Sequence, residues 1–213
     1  MSPDYTLGSD VVTDNVTGLM WENSIVVNND DLSAAKTYCS SLGLGSFSDW
    51  RLPTAAELLM IADRGQSPAI DTGIFTGISS NPLWTSTFVD DGGLFGSDEY
   101  VTVDFTFADS ASDQDSIFTN KDIRCVRGNT NSAALTQDLG NGVVIDSENN
   151  LIWQDNLNPG LKDWATAIDY CENLILNGSA QWRLPNINEL LSVIDFTNPA
   201  GIYKVNFVYN SDG

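Results

Sequence analysis

Asp49-Trp50-Arg51-Leu52-Pro53-Thr54-Ala55-Ala56-Glu57 decides the fold, because the chain says it twice: Gln181-Trp182-Arg183-Leu184-Pro185-Asn186-Ile187-Asn188-Glu189 follows at a spacing of 132 residues. In both places a proline holds the chain extended before a capping residue, and a glutamate three residues after that cap completes a capping box. The spacing predicts a helix opening at Thr54 and another at Asn186. In each, the Arg-Glu pair straddles the helix start, so Arg51 with Glu57 and Arg183 with Glu189 read as structural clamps, with a substrate-binding ion pair as the alternative.

Working outward at the same spacing, Leu19-Met20-Trp21 falls on Leu151-Ile152-Trp153, Tyr38-Cys39 on Tyr170-Cys171, and Glu57-Leu58-Leu59 on Glu189-Leu190-Leu191. From residue 18 to 75 the register needs no gap and holds 18 identities in 58 positions. Self-similarity at a fixed period marks duplicated supersecondary units. We expect a complete module over 6–128, a polar linker over 129–137 and a partial second module over 138–213, the last without a counterpart of residues 82–128.

Within one module, Val11-Val12 and Gly18 to Trp21 read as short strands. Leu32, Ala35, Cys39 and Leu42 mark one face of a helix over Asp31–Leu42, and Trp164, Ala167, Cys171 and Leu174 repeat that face. Asp31 and Asp163 are the expected N-caps. Then the period changes. Trp84–Val89, the alternating Tyr100–Ala108 and Ile123–Val126 read as strands. Helices followed by sheet give an α+β class. In the second copy the apolar faces of Trp164, Ile168, Leu190 and Ile194 need a cover: the first module, a second chain (self-association), or further sequence.

Composition narrows the function. The 213 residues carry 9 Lys+Arg against 29 Asp+Glu, a formal net charge of −20, which excludes a phosphate-binding surface for nucleic acid. The chain has no histidine, so histidine-based nucleophilic catalysis and histidine-ligated zinc are excluded within it. No apolar run is long enough for a membrane helix, and no membrane insertion is expected. The opening Met1-Ser2-Pro3-Asp4 does not read as a signal peptide.

Of the three cysteines, Cys39 lies on a helix core face and Cys125 in the closing strand. A Cys39–Cys125 disulfide is the preferred pairing, against two buried free thiols; it would indicate an oxidising, extracytoplasmic setting. Cys171 is left without a partner. Nine acids lie between Ser86 and Asp122, against one lysine. Asp109, Asp113 and Asp115, in a stretch read as loop, are the weak Ca²⁺ candidates, since hard oxygen ligands suit that ion; the alternative is a solvated acidic surface. No other cofactor is expected.

Gly18-Leu19-Met20-Trp21, the helical Tyr38-Cys39, Asp49 to Thr54 with Glu57-Leu58, Trp84-Thr85-Ser86 and Arg124-Cys125-Val126-Arg127-Gly128 occur in the order seen in the DUF1566 family, the C-terminal domain of Legionella collagen-like adhesin and its bacterial relatives. The chain resembles that family throughout the first module and the front of the second. Arg51 to Glu57, continued by Ala62-Asp63-Arg64-Gly65, also resembles the formylglycine-generating and sulfatase-modifying superfamily, which implies a C-type-lectin-like scaffold. The late cysteine pair of the active enzymes has no match here, so an enzyme of that group is only the runner-up. The resemblance implies a non-enzymatic adhesion module that binds a glycan or protein through loops after the second helix. Trp84, Asp90, Asp91, Asp98 and Glu99 are the candidate ligand-binding residues. A ligand-free structural domain is the third alternative.

Overall fold

The computed structural model describes residues 4–27, 31–89, 99–106, 109–113, 121–128, 135–138, 140–147, 150–155 and 160–194. It is mixed α+β with small antiparallel sheets. The chain divides into two compact units that change over at residues 129–130.

Unit 1 begins with β1 (Tyr5–Leu7), β2 (Val11–Asp14) and β3 (Met20–Glu22), followed by α1 (Leu32–Ser41) and α2 (Ala55–Met60). It ends with β4 (Leu83–Val89), β5 (Glu99–Asp104), β6 (Asp109–Asp113) and β7 (Val126–Arg127). The sheets run β1-β2-β3-β7 and β4-β5-β6, antiparallel throughout. The first sheet thus joins the two ends of the unit.

Helix α1 starts where the Asp31 carboxylate accepts the Ala34 N–H at 2.9 Å, relieving one of the orphan donors of the first turn. Its Leu32, Ala35 and Cys39 turn inward and meet Trp50, Leu52, Trp84, Ile123 and Cys125 in one cluster. Helix α2 opens with the expected capping box: Glu57 N–H donates to Thr54 Oγ1 at 3.2 Å, and the Glu57 carboxylate accepts Thr54 N–H at 2.8 Å. A register shift in β4 between Trp84 and Phe88 puts hydroxyls at that helix start. Ala55 N–H donates to Thr87 Oγ1 at 2.9 Å, while Thr85 Oγ1 donates to the Val101 carbonyl at 2.5 Å.

Two expectations for this half of the unit are corrected. Val101, Val103 and Phe105 are buried as the alternation requires, but Thr102 is buried as well, so β5 is covered on both faces rather than one. Asp109–Asp113, expected as loop, is strand β6, held along β5 from Tyr100↔Asp113 to Asp104↔Asp109.

Unit 2 contains β8 (Leu135–Asp138), β9 (Val143–Asp146), β10 (Leu151–Gln154), α3 (Trp164–Glu172) and α4 (Ile187–Ser192). Its sheet runs β10-β9-β8. β9, β10, α3 and α4 recur at the 132-residue spacing from β2, β3, α1 and α2. Leu135–Gln137, expected in the linker, instead pair with β9, Leu135 facing Asp146 as Tyr5 faces Asp14. Asp163 caps α3 through Thr166 N–H at 2.8 Å. The apolar faces differ sharply between units. Leu32 is 6% exposed and its counterpart Trp164 75%; Leu58 is 0% and its counterpart Leu190 40%.

Candidate functional site

The tightest side-chain structure in unit 1 secures its closing segment. Arg51 grips Glu57 through two parallel bonds, Nη1 to Oε2 at 2.9 Å and Nη2 to Oε1 at 2.8 Å. It also donates to the carbonyls of Leu52 at 3.2 Å and Gly128 at 3.3 Å. Both terminal nitrogens of this fork donate to protein oxygens. Arg183 and Glu189 form the same pair in unit 2.

Arg124 is wholly buried. It donates to the backbone carbonyls of Glu22 at 2.7 Å, Asn23 at 2.5 Å and Thr76 at 3.1 Å, over the Phe75 ring. Burial draws its pKa down to about 10, with Glu22 opposing, so the guanidinium stays charged at neutral pH. Beside it, Glu22 accepts Tyr38 Oη–H at 2.7 Å and Cys125 N–H at 3.1 Å. Burial nonetheless pushes the Glu22 carboxyl above its ordinary value, the Tyr38 bond, the Cys125 N–H and Arg124 opposing it. Cys39 and Cys125 form the expected disulfide, with Cα atoms 5.5 Å apart; Cys171 is free of a disulfide.

The basic residues near the closing strand are therefore occupied. Arg127 pairs with Asp49 at 2.7 Å and covers the Phe47 ring, and buried Lys121 lies over Trp84. They do not make an anion-binding patch.

A different surface has the character of a recognition site. Phe88 near the end of β4 and Tyr100 near the start of β5 place their rings 5.4 Å apart at 59°, both half-buried. Exposed Lys36 on α1 reaches over the Tyr100 ring and donates to its Oη at 3.3 Å. Two aromatic faces with a cationic donor at the rim offer apolar area, a hydroxyl and N–H groups to a ligand. Sequence reasoning missed this trio. Lys36 and Tyr100 are 64 residues apart, and only the fold joins them.

The predicted ligand-binding residues fare unevenly. Trp84 is corrected: its side chain is buried in the core beneath Lys121 and presents no surface to a ligand. Glu99 opens β5, its backbone opposite Val89. Asp90, Asp91 and Asp98 lie outside the described residues, as does Asp115 among the Ca²⁺ candidates. Asp109 and Asp113 stand at the two ends of one strand, β6. Among the described residues no group of three or more Cys, Asp or Glu side chains is arranged to hold a metal ion, and no helix is long and apolar enough to cross a membrane.

Fold and site together define, in unit 1, a disulfide-closed α+β module whose buried and paired arginines serve the frame, with the Phe88–Tyr100–Lys36 rim partly exposed among the described residues. The chain belongs to the Lcl C-terminal domain family, which it matches over residues 10–127 and 142–211. Comparison with curated proteins finds no match.

Proposed function

We propose that this chain is a non-enzymatic binding segment of a bacterial surface adhesin, built from two copies of one lectin-like module, the second partial. Unit 1 engages its ligand at the Phe88–Tyr100–Lys36 rim. The observation that carries this is the rim itself: two half-buried rings and an ammonium group brought together from β4, β5 and α1. The family match supports the adhesin association, and the disulfide suits an extracytoplasmic setting.

The net charge selects among ligands. A chain at −20 repels sulfated polyanions at long range, and the buried or paired states of Lys121, Arg124 and Arg127 leave no basic patch there to overcome it. A neutral glycan stacked on the rings, its hydroxyls bonded to Tyr100 and Lys36, is the ligand class favoured, and a protein surface is the other class to be screened. The test is an array of neutral and sulfated glycans and matrix proteins, probed with the full chain with and without Ca²⁺. Binding confined to neutral glycans or proteins supports the proposal. Binding only to sulfated glycans overturns the ligand class, and binding to none removes the recognition role in favour of a structural domain.

A further inference from the structure

The rim of unit 1 joins two bodies that are held in different ways. Its rings stand on paired backbone: Phe88 and Tyr100 face each other across β4 and β5, and β6 flanks β5 on the other side, with Asp113 opposite Tyr100. Its cation stands on α1. A helix satisfies its backbone groups within itself, so α1 is fastened to the rest of the unit by side chains. Leu32, Ala35 and Cys39 enter the core cluster against which Tyr100 packs. Tyr38 donates to Glu22 at 2.7 Å, and Cys39 is bonded to Cys125.

The other side of that disulfide is secured without it. Ile123 and Val26 exchange backbone N–H···O=C bonds of 2.9 and 3.0 Å, Arg51 and Val126 exchange bonds of 2.9 Å each, and Glu22 N–H donates to the Cys125 carbonyl at 2.9 Å. The Glu22 carboxylate accepts the Cys125 N–H at 3.1 Å. Opening the S–S bond therefore leaves the segment 123–126 paired by backbone and removes the covalent tie on α1, which carries Lys36 one turn before Cys39. The place of Lys36, 3.3 Å from Tyr100 Oη and over its ring, then depends on apolar packing and the Tyr38–Glu22 bond.

We propose that the Cys39–Cys125 disulfide is a redox control on ligand binding. With the bond closed, α1 holds Lys36 over Tyr100 and the rim binds. With the bond reduced, α1 loosens and Lys36 leaves the ring, so the rim weakens while the rest of unit 1 stays folded. This rests on the rim being the ligand site of unit 1. A chain in a reducing compartment is then a poor binder, and oxidation outside it completes the site.

The covalent step is thiol–disulfide exchange with a dithiol reductant. One dithiol thiolate attacks a cysteine sulfur, the Cys39–Cys125 bond breaks, and a mixed disulfide forms; the second thiolate displaces the remaining protein sulfur and closes the reductant's own disulfide. The dithiol is oxidised by two electrons and gives up two protons, which Cys39 and Cys125 take up as thiols. Both cysteines are fully buried, so the reductant reaches the bond when the packing around α1 opens. The coupling is reciprocal: a ligand that holds Lys36 against Tyr100 slows the reduction.

The full chain carrying Cys171→Ala, which leaves Cys39 and Cys125 as its only cysteines, is compared oxidised, reduced with dithiothreitol and reoxidised, at about 15 °C, near the usual stability maximum. Hydrogen exchange with mass spectrometry reads α1, the segment 123–126 and β4–β5, and an array of neutral glycans reads binding. On reduction the α1 amides should exchange at least about tenfold faster, and those of the segment and of β4–β5 less than about threefold faster. Affinity for the strongest neutral glycan should fall at least about tenfold, and both effects should reverse on reoxidation. Unchanged exchange in α1 overturns the proposal. So does an equal loss of protection in all three regions, which makes the bond a general staple, and so does full binding by the reduced chain. An oxidised chain that binds no glycan removes the rim reading, and the control of binding with it, while the exchange data still decide whether the disulfide tethers α1.

Discussion

Removing the same guanidinium from each unit should have unequal effects, and the structure supplies the magnitudes. Arg51 makes two short charge-assisted bonds to Glu57, whose side chain is 11% exposed, and spans to the Gly128 carbonyl on the closing segment. Each such bond to a charged group contributes roughly 1.5–3 kcal/mol net. Water reclaims part of this because Arg51 is partly exposed, which leaves about 3 kcal/mol, near the low end for breaking a buried pair. Arg183 makes the same fork to Glu189 from a side chain that is 56% exposed, and surface pairs contribute about 0–1 kcal/mol. Arg51→Ala should therefore destabilise unit 1 by about 3 kcal/mol, and Arg183→Ala unit 2 by under about 1 kcal/mol. Hydrogen exchange followed by mass spectrometry across a urea series reads the β3–β7 and β9–β10 peptides separately in the full chain. Equal losses for the two variants, or an Arg51→Ala unit 1 as stable as the parent, would refute the structural assignment of the clamp.

Other perturbations probe the same frame. Cys39→Ala/Cys125→Ala opens a loop of 86 residues and should cost roughly 4–5 kcal/mol on the chain-entropy account, read as a lower urea midpoint. Arg124→Ala strands three carbonyls in the core and should cost more than about 4 kcal/mol; a variant within 1 kcal/mol of the parent would contradict the burial. The raised Glu22 pKa means the folded state favours the neutral acid. Its stabilising share is thus present below the unfolded value and lost as pH rises through the folded one. Glu22→Gln should remove that loss, so the variant gains on the parent between pH 4 and pH 7 in denaturant titrations; a pH-independent difference would refute it. Gln154, at the corresponding place, donates to Tyr170 Oη at 2.6 Å, which shows that an amide fits beside the tyrosine.

Local chemistry made much of this fold legible in advance. Asp31, Thr54 and Asp163 announce helix starts because a short acceptor before an apolar period has one favourable use. Cys39 and Cys125 could be paired because one helix face and one strand each showed which side was core. Strand β6 was hidden: Asp-Ser-Ala-Ser-Asp has low strand propensity, and pairing with β5 alone makes it a strand. The second buried face of β5 was hidden too, since Thr102 alternates as a solvent residue would. Trp84 was misplaced because a tryptophan opening a strand reads equally as core or platform, and only packing under Lys121 decides. The rim could not be read at all, since no spacing relates Lys36 to Tyr100.

The central claim is that unit 1 binds through the Phe88–Tyr100–Lys36 rim. It is tested most directly by titrating the full chain, and its Tyr100→Ala and Lys36→Ala variants, with the strongest array ligand by isothermal calorimetry, with melting temperatures measured alongside. Lys36 is exposed on α1, so its removal should leave the melting temperature within about 2 °C while weakening binding at least fivefold, and Tyr100→Ala should weaken it at least tenfold, differences of about 1–1.4 kcal/mol. Unchanged affinity in both folded variants would place the ligand elsewhere and contradict the account.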